Sequence, residues 1–143
     1  MSARPFRLVA PIVPEDDLHE NVAAALDLLL LPPAQWTTFP AGHIQLTGQQ
    51  AAKLHRLGLK RSWPDLLVLH GSLFGIELKR PGGKLSRTRT VRTRRGRLRI
   101  VEGQAETFPK LEAAGMKLAT CDSVDSVLET LRIWDIPLRR AAL

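Results

Sequence analysis

The sequence predicts a mixed α/β domain built around one buried β-hairpin. The hairpin is indicated by two short apolar runs, 66–69 and 73–76, on either side of the turn-like His70-Gly71-Ser72. Stretches with helical periodicity and capping residues lie before and after it in the chain. A third observation is a segment, Lys84 to Arg99, with eight basic residues and no acidic residue, which predicts an inserted basic β-ribbon or loop.

Composition bounds the class of protein. A chain of 143 residues with 44% hydrophobic and 24% charged residues is expected to form one globular domain with a real core. No apolar run approaches the ~20 residues of a membrane span, and residues 1–14 lack a long apolar leader segment. The single cysteine, Cys121, excludes an internal disulfide and a cysteine zinc cluster, which favours a reducing cytoplasm and no membrane partner.

The net charge of +7 is concentrated in one segment. Outside residues 84–99, thirteen basic residues face fourteen acidic ones, so the rest of the chain is close to neutral. A local excess of positive charge of this size predicts a polyanionic partner.

The predicted elements fall in order along the chain. An arm, 1–14, with an edge strand at 6–9, precedes a domain over 15–138, and a tail covers 139–143. The first helix opens at Glu15-Asp16-Asp17, buries Val22, Ala25, Leu26 and Leu29, and stops at Pro32-Pro33. A short strand and loop are predicted over 36–42, with His43 also in a loop. Other helices are predicted from the Thr47 cap to Leu57, from Gln104, and from the Ser123 cap to Trp134, with a strand over 116–121.

The hairpin places three charged residues. With a three-residue loop over 70–72, partner numbers sum to 142, so Asp65 faces Glu77 across the ladder. Two carboxylates this close repel each other, and a divalent cation between them relieves the repulsion. Strand alternation puts Lys79 on the same face and Leu78 in the core. A two-residue Gly71-Ser72 turn would instead oppose Asp65 with Leu78.

The alternative is a surface hairpin with a solvated Asp, Glu and Lys. Pro64 directly before Asp65, and apolar residues at nearly every position up to Glu77, favour the functional interpretation. The pattern P-D-x11-E-L-K resembles the PD-(D/E)XK nuclease superfamily. That resemblance implies a restriction-endonuclease-like core, in which a mixed central sheet is flanked by helices.

Further stretches resemble one branch of that superfamily, the stand-alone VRR-NUC nucleases of phages and bacteria. They are LHENVAAALDLLL in the first helix, the approach from Gly58 to Asp65, and Pro81 to Ser86. The pattern resumes at Gln104, which predicts an insertion at about 87–101. The resemblance covers roughly 18–138. It implies Glu20 and the Leu78 carbonyl as further metal ligands, and Gln104 as a supporting catalytic residue.

The insertion alternates between its two sides and has a turn signal at Arg95-Gly96. This predicts a projecting two-stranded ribbon, with a disordered basic loop as the alternative. No aromatic residue interleaves its arginines, so the insertion gives little support for stacking on single-stranded bases. In either form it would bind DNA phosphates through Lys84, Arg87, Arg89, Arg92, Arg94, Arg95, Arg97 and Arg99.

These observations predict a Mg²⁺-dependent DNA endonuclease, with Mn²⁺ able to substitute. Asp65, Glu77, Leu78 and Glu20 would hold the ion, and Lys79 with Gln104 would act on the attacking water. The resemblance implies branched or structured DNA as the substrate, a bacterial cytoplasm as the setting, and leaves a homodimer open. The alternative is a DNA-binding accessory module with a vestigial nuclease core, since the basic insertion needs no metal to bind.

Overall fold

Four helices and two sheets make up the described part of the protein, which is residues 15–39 and 46–140 of a computed structural model. The predicted arm, the turn with His43, and residues 141–143 lie outside it. The helices are α1 (Glu15–Leu29), α2 (Gly48–Arg56), α3 (Gln104–Ala113) and α4 (Val124–Ile133). None of the helices in the described ranges is long and apolar enough to cross a membrane.

The main sheet has four strands and mixed direction. Its order is β1 (Gln35–Thr38), β2 (Leu66–His70), β3 (Ser72–Leu78) and β6 (Lys117–Cys121). β2 is antiparallel to both of its neighbours, β1 and β3, and β6 runs parallel to β3. The prediction of a mixed α/β domain with a mixed sheet is therefore confirmed.

The β2–β3 hairpin has the register that the sequence predicts. Leu66 pairs with Ile76 and His70 with Ser72, and Gly71 forms the tip with φ 71°, a conformation in which glycine avoids a Cβ clash. The two-residue turn does not form. Extending this register by one pair sets Asp65 opposite Glu77.

One face of the sheet packs against α1 and α4. Alternate strand residues point to this face, and Leu78 is fully buried there, as predicted. On α1 the predicted stripe is confirmed in Val22 and Leu26, which are buried, while Ala25 and Leu29 lie half-buried at its margin. The main contributors to this core are Leu18, Val22, Leu26, Leu66, Val68, Phe74, Ile76, Leu78, Cys121, Val127, Leu131 and Ile136.

The other face carries the charged residues and is partly covered by α3 and by Pro64. A Cβ at Gly75 would lie 2.5 Å from the Pro64 ring and 2.6 Å from the Leu118 side chain. Only glycine therefore allows Pro64 to sit this close to the sheet. That contact fixes the chain directly before Asp65.

Helix ends follow the predicted signals. Thr47 caps α2 in a capping box with Gln50, and Ser123 caps α4 in the same way with Ser126. Side-chain N-caps of this kind contribute about 1 kcal/mol each.

The basic insertion is a two-stranded ribbon, as predicted, formed by β4 (Arg89–Arg92) and β5 (Leu98–Val101). Its turn is closed by the N–H of Thr93, which donates to Arg97 O at 2.8 Å. At its base the N–H of Gly103 donates to Thr88 Oγ1 at 3.0 Å. The ribbon therefore leaves and rejoins the domain at one place.

Candidate functional site

Asp65 lies where the β2–β3 ladder opens. Its Oδ2 accepts a hydrogen bond from the backbone N–H of Leu78 at 2.9 Å, and its carbonyl accepts one from Phe39 N–H at 2.7 Å. The carboxylate thus holds the end of β3. Because the N–H and C=O of one strand residue point to the same side, the Leu78 carbonyl also points toward the β2 side.

Glu77 is the buried charged residue of the site, with 2% of its surface exposed. Its Oε1 accepts from Gln104 Nε2 at 2.5 Å and lies 3.0 Å from Lys79 Nζ. Its Oε2 is buried and has no hydrogen-bond partner among the residues that the structure describes. An unsatisfied buried polar atom lowers stability by about 1–3 kcal/mol. A ligand that binds this oxygen would therefore stabilise the site.

The electrostatics of the site disfavour a second negative charge. Burial raises the pKa of Glu77, and the nearby negative charge of Asp65 raises it further. The hydrogen bonds from Gln104 and Lys79 act in the opposite direction but do not cancel this effect. A cation placed between the carboxylates would offset both causes.

Two hydrogen bonds with Ser86 hold Gln104 in the orientation in which it contacts Glu77. The Gln104 N–H donates to Ser86 Oγ at 3.0 Å, and the Ser86 N–H donates to Gln104 Oε1 at 3.3 Å. The side-chain oxygen is thereby turned to Ser86 and the amide nitrogen to Glu77. The structure thus brings together Asp65, Glu77, Lys79 and Gln104, the four predicted catalytic residues, across a fifteen-residue insertion.

Glu20 is exposed on α1. Among residues 15–39 and 46–140, no group of three or more His, Cys, Asp or Glu side chains is arranged to hold a metal ion. Glu20 is therefore not brought into a three-ligand cluster with Asp65 and Glu77. The remaining donor set fits Mg²⁺, which binds through one or two carboxylates and otherwise through waters and substrate phosphate.

A hydrogen-bonded connection from α1 to this site has no signal in the sequence. Thr38 Oγ1 donates to Asp65 O at 3.1 Å and lies 3.0 Å from His19 Nε2. Since the hydroxyl has one proton, the histidine nitrogen must be the donor in the second contact. This connection fixes the strand end beside Asp65.

A cleft of about 320 Å³ is lined by Asp65, Lys79 and Gln104, whereas the buried Glu77 does not line it. It also contains an arginine and two aromatic rings that the sequence analysis does not single out as site residues, namely Arg61, Phe39 and Trp63. Arg87 and Arg89 of the predicted DNA-binding set line it, whereas the rest of that set is exposed along the ribbon and before it. The full lining is Phe39, Arg61, Ser62, Trp63, Asp65, Lys79, Ser86, Arg87, Arg89, Val101, Glu102, Gly103 and Gln104.

Comparison of the chain with models of protein families, with curated proteins and with solved structures found no match. What the protein does must therefore be argued from the fold and the site. These define a mixed α/β domain in which Asp65, Lys79 and Gln104 line a basic cleft, and in which the buried Glu77 contacts Lys79 and Gln104.

Proposed function

We propose that this protein is a metal-dependent DNA endonuclease with a restriction-endonuclease-like core. The observation that carries the proposal is the buried, unpartnered Oε2 of Glu77 beside Asp65, with Lys79 on the same face. This donor set lies at the ends of the two central strands, next to a basic cleft, and suits the hydrolysis of an anionic phosphodiester.

Asp65, Glu77 and the Leu78 carbonyl would hold Mg²⁺, or Mn²⁺ in its place. A bound divalent ion supplies Lewis acidity and lowers the pKa of a coordinated water. Burial of Glu77 and its bond to Gln104 keep the carboxylate in one orientation before any ion arrives, which reduces the reorganisation that binding requires.

Lys79 would act on the reacting phosphate. Its side chain is 19% exposed, is anchored by Glu77 and lines the cleft. An ammonium group held in this way can orient the attacking water and stabilise the negative charge that develops on the phosphate oxygens. Gln104 holds Glu77, and through it Lys79, in place.

The arginines would bind the DNA backbone. Arg87 and Arg89 flank the cleft, and the ribbon carries the remaining positive charge away from the catalytic groups. Phosphate contacts of this kind position DNA without reading its sequence. The proposed setting for this DNA cleavage is the bacterial cytoplasm.

The test is a cleavage assay on linear, nicked, flap and four-way DNA with Mg²⁺, Mn²⁺ or chelator. We expect cleavage of at least one substrate with either ion and none with chelator. Asp65→Asn removes one negative charge from the site at nearly constant volume, and it should lower the rate by at least about a hundredfold.

A matched control is Asp122→Asn, a change at an exposed aspartate in the loop after β6. Its cleavage rate should equal that of the unchanged protein. Equal cleavage by Asp65→Asn would contradict the proposed site. Tight DNA binding with no cleavage under any metal condition would instead favour the accessory module with a vestigial nuclease core.

A further inference from the structure

Two aromatic rings lie in the same cleft as the proposed catalytic groups. The ring centroids of Phe39 and Trp63 are 5.8 Å apart, with an angle of 34° between the ring planes. Both residues are half-buried and both line the cleft with Lys79 and Gln104. Part of each ring therefore faces the space in which a substrate would lie.

The rings are not part of the hydrophobic core. A comparable pair, Phe74 and Trp134, has centroids 4.9 Å apart and packs within or against the main core. Phe39 and Trp63 belong to no such cluster among the described residues. Packing of the core thus does not account for their position.

The backbone on both sides fixes the rings beside Asp65. Phe39 N–H donates to the Asp65 carbonyl, and Trp63 precedes Asp65 by two residues. Ser62, directly before Trp63, has φ 64°, a left-handed conformation that non-glycine residues seldom adopt. Its hydroxyl donates to Glu102 O at 2.7 Å across the base of the ribbon. Non-glycine residues in sparsely populated backbone conformations cluster at functional sites, and this one is held by its hydrogen bond to the base of the ribbon.

Trp63 also lies between two depressions of positive charge. A second depression, of about 400 Å³, shares Arg61, Trp63, Val101 and Glu102 with the cleft. It extends to Lys60, Arg99 and Lys110 between α2, the ribbon and α3. The two depressions adjoin at their shared residues, so that basic side chains lie on both sides of the aromatic ring.

We propose that Phe39 and Trp63 form a base-stacking subsite, so that the preferred substrate has an unpaired base next to the phosphodiester to be cut. Within a duplex the faces of each base are covered by its neighbours, and an aromatic side chain can stack only on a base that has left the stack. The flanking basic residues suit the phosphates on either side of that base. This inference rests on the proposed function for its catalytic meaning, but the binding of a base at the subsite does not require cleavage.

The test measures binding in chelator, where no cleavage occurs. Three fluorescent DNAs are compared by anisotropy: a full duplex, a duplex with a single-stranded extension, and the same extension with abasic sites in place of its bases. The last two carry the same number of phosphates, so their difference reports the bases alone. We expect the extension with bases to bind about tenfold tighter than the abasic one.

Variants assign that preference to the rings. Trp63→Leu should bind the extension with bases no better than the abasic one, whereas Trp63→Phe should keep most of the preference. Leu69→Ala removes an exposed apolar side chain that lines neither depression, and it should behave like the unchanged protein. Its unfolding temperature and that of the Trp63 variants show whether each is folded.

Equal affinity of the unchanged protein for the extensions with and without bases would overturn the inference, whatever the variants do. A preference that survives Trp63→Leu in a folded variant would do the same. Absence of cleavage with Mg²⁺ contradicts the proposed function but not the subsite, so the two failures are distinguishable.

Discussion

The carboxylate site and the basic ribbon hold their charges in opposite ways. Glu77 is 2% exposed and has two side-chain partners on one oxygen. On the ribbon, Leu98 and Ile100 are 68% and 73% exposed, and Arg92 Nη1 donates to the carbonyl of the nearby turn residue Gly96 at 3.2 Å. The carboxylate site holds its charged groups in fixed positions, whereas the ribbon carries exposed charged side chains on a two-stranded ladder.

This difference teaches what each region can do. Chemistry requires groups held close to their productive positions before the substrate arrives, and the sheet provides that through burial and paired donors. Binding to a phosphate backbone depends mainly on how many cations meet it, and a ribbon provides that with little core. Changes at the site should therefore depend on geometry, and changes in the ribbon on charge number.

Lys79→Met should have the largest effect. It removes the ammonium that lies 3.0 Å from Glu77 and should lower the cleavage rate by at least about a hundredfold. Lys84→Met removes the same charge from an exposed position five residues later and should change the rate only a few-fold. Single-turnover cleavage at saturating DNA measures both, and equal losses would mean that Lys79 acts only by its charge.

Gln104→Ala should come next. The glutamine orients Glu77 and does not itself complete the proposed ion site, so its loss should weaken apparent metal affinity by about tenfold to a hundredfold. The readout is the Mg²⁺ concentration that gives half-maximal cleavage. Excess Mg²⁺ should recover much of the rate, whereas Gln49→Ala, at an exposed glutamine on α2, should not alter the midpoint.

The sequence predicts the part of the site that depends on local spacing. Paired residue numbers in the hairpin sum to 142, which gives the Asp65–Glu77 pairing. Strand alternation gives the positions of Leu78 and Lys79. Cap residues such as Thr47 and Ser123 give the helix starts, because a cap acts within four residues of its own chain. The ribbon follows from alternation and the glycine turn signal.

The sequence does not predict contacts set by tertiary packing. The Thr38–His19 contact joins α1 to the end of β1, and nothing in either segment indicates it. The pairing of Phe39 with Trp63 likewise depends on how the end of β1 meets the chain before β2. Gln104 is implied only by the resemblance to a family pattern, because about fifteen inserted residues separate that pattern's two parts and hide the closeness of Gln104 to Glu77.

Replacing residues 90–100 with Asn-Gly tests the ribbon. Arg89 and Val101 are partners in the ladder, so a two-residue turn can join them, and the bonds at Thr88 and Ser86 remain. The fold should persist. The salt dependence of duplex binding should become shallower by about 0.9 for each of the five lost arginines that contacts a phosphate.

The matched variant keeps the ribbon and changes those five arginines to glutamine. If charge number alone matters, both variants should show the same salt slope in titrations from low to moderate ionic strength. A slope equal to that of the unchanged protein in both would show that the ribbon does not touch the DNA backbone.

The smallest expected effect is a change in unfolding temperature caused by Glu77→Gln. This variant nevertheless separates the carboxylate site from the ribbon most clearly. Because the folded-state pKa of Glu77 is raised above 4.5, its contribution to stability is present below pH 4.5 and is lost as the pH rises through the raised value. In chelator at pH 8 the glutamine variant should therefore unfold a few degrees above the unchanged protein, with about 2–4 °C corresponding to 1 kcal/mol.

Mg²⁺ should reverse that order. It should stabilise the unchanged protein by mass action and leave Glu77→Gln nearly unaffected, while Glu112→Gln, at an exposed position on α3, should follow the unchanged protein throughout. Unfolding temperatures at pH 5 and pH 8, each measured with chelator and with Mg²⁺, separate the effect of pH from the effect of the ion. If Mg²⁺ raised both unfolding temperatures equally, the ion would be binding away from Glu77, and the buried oxygen would need another ligand.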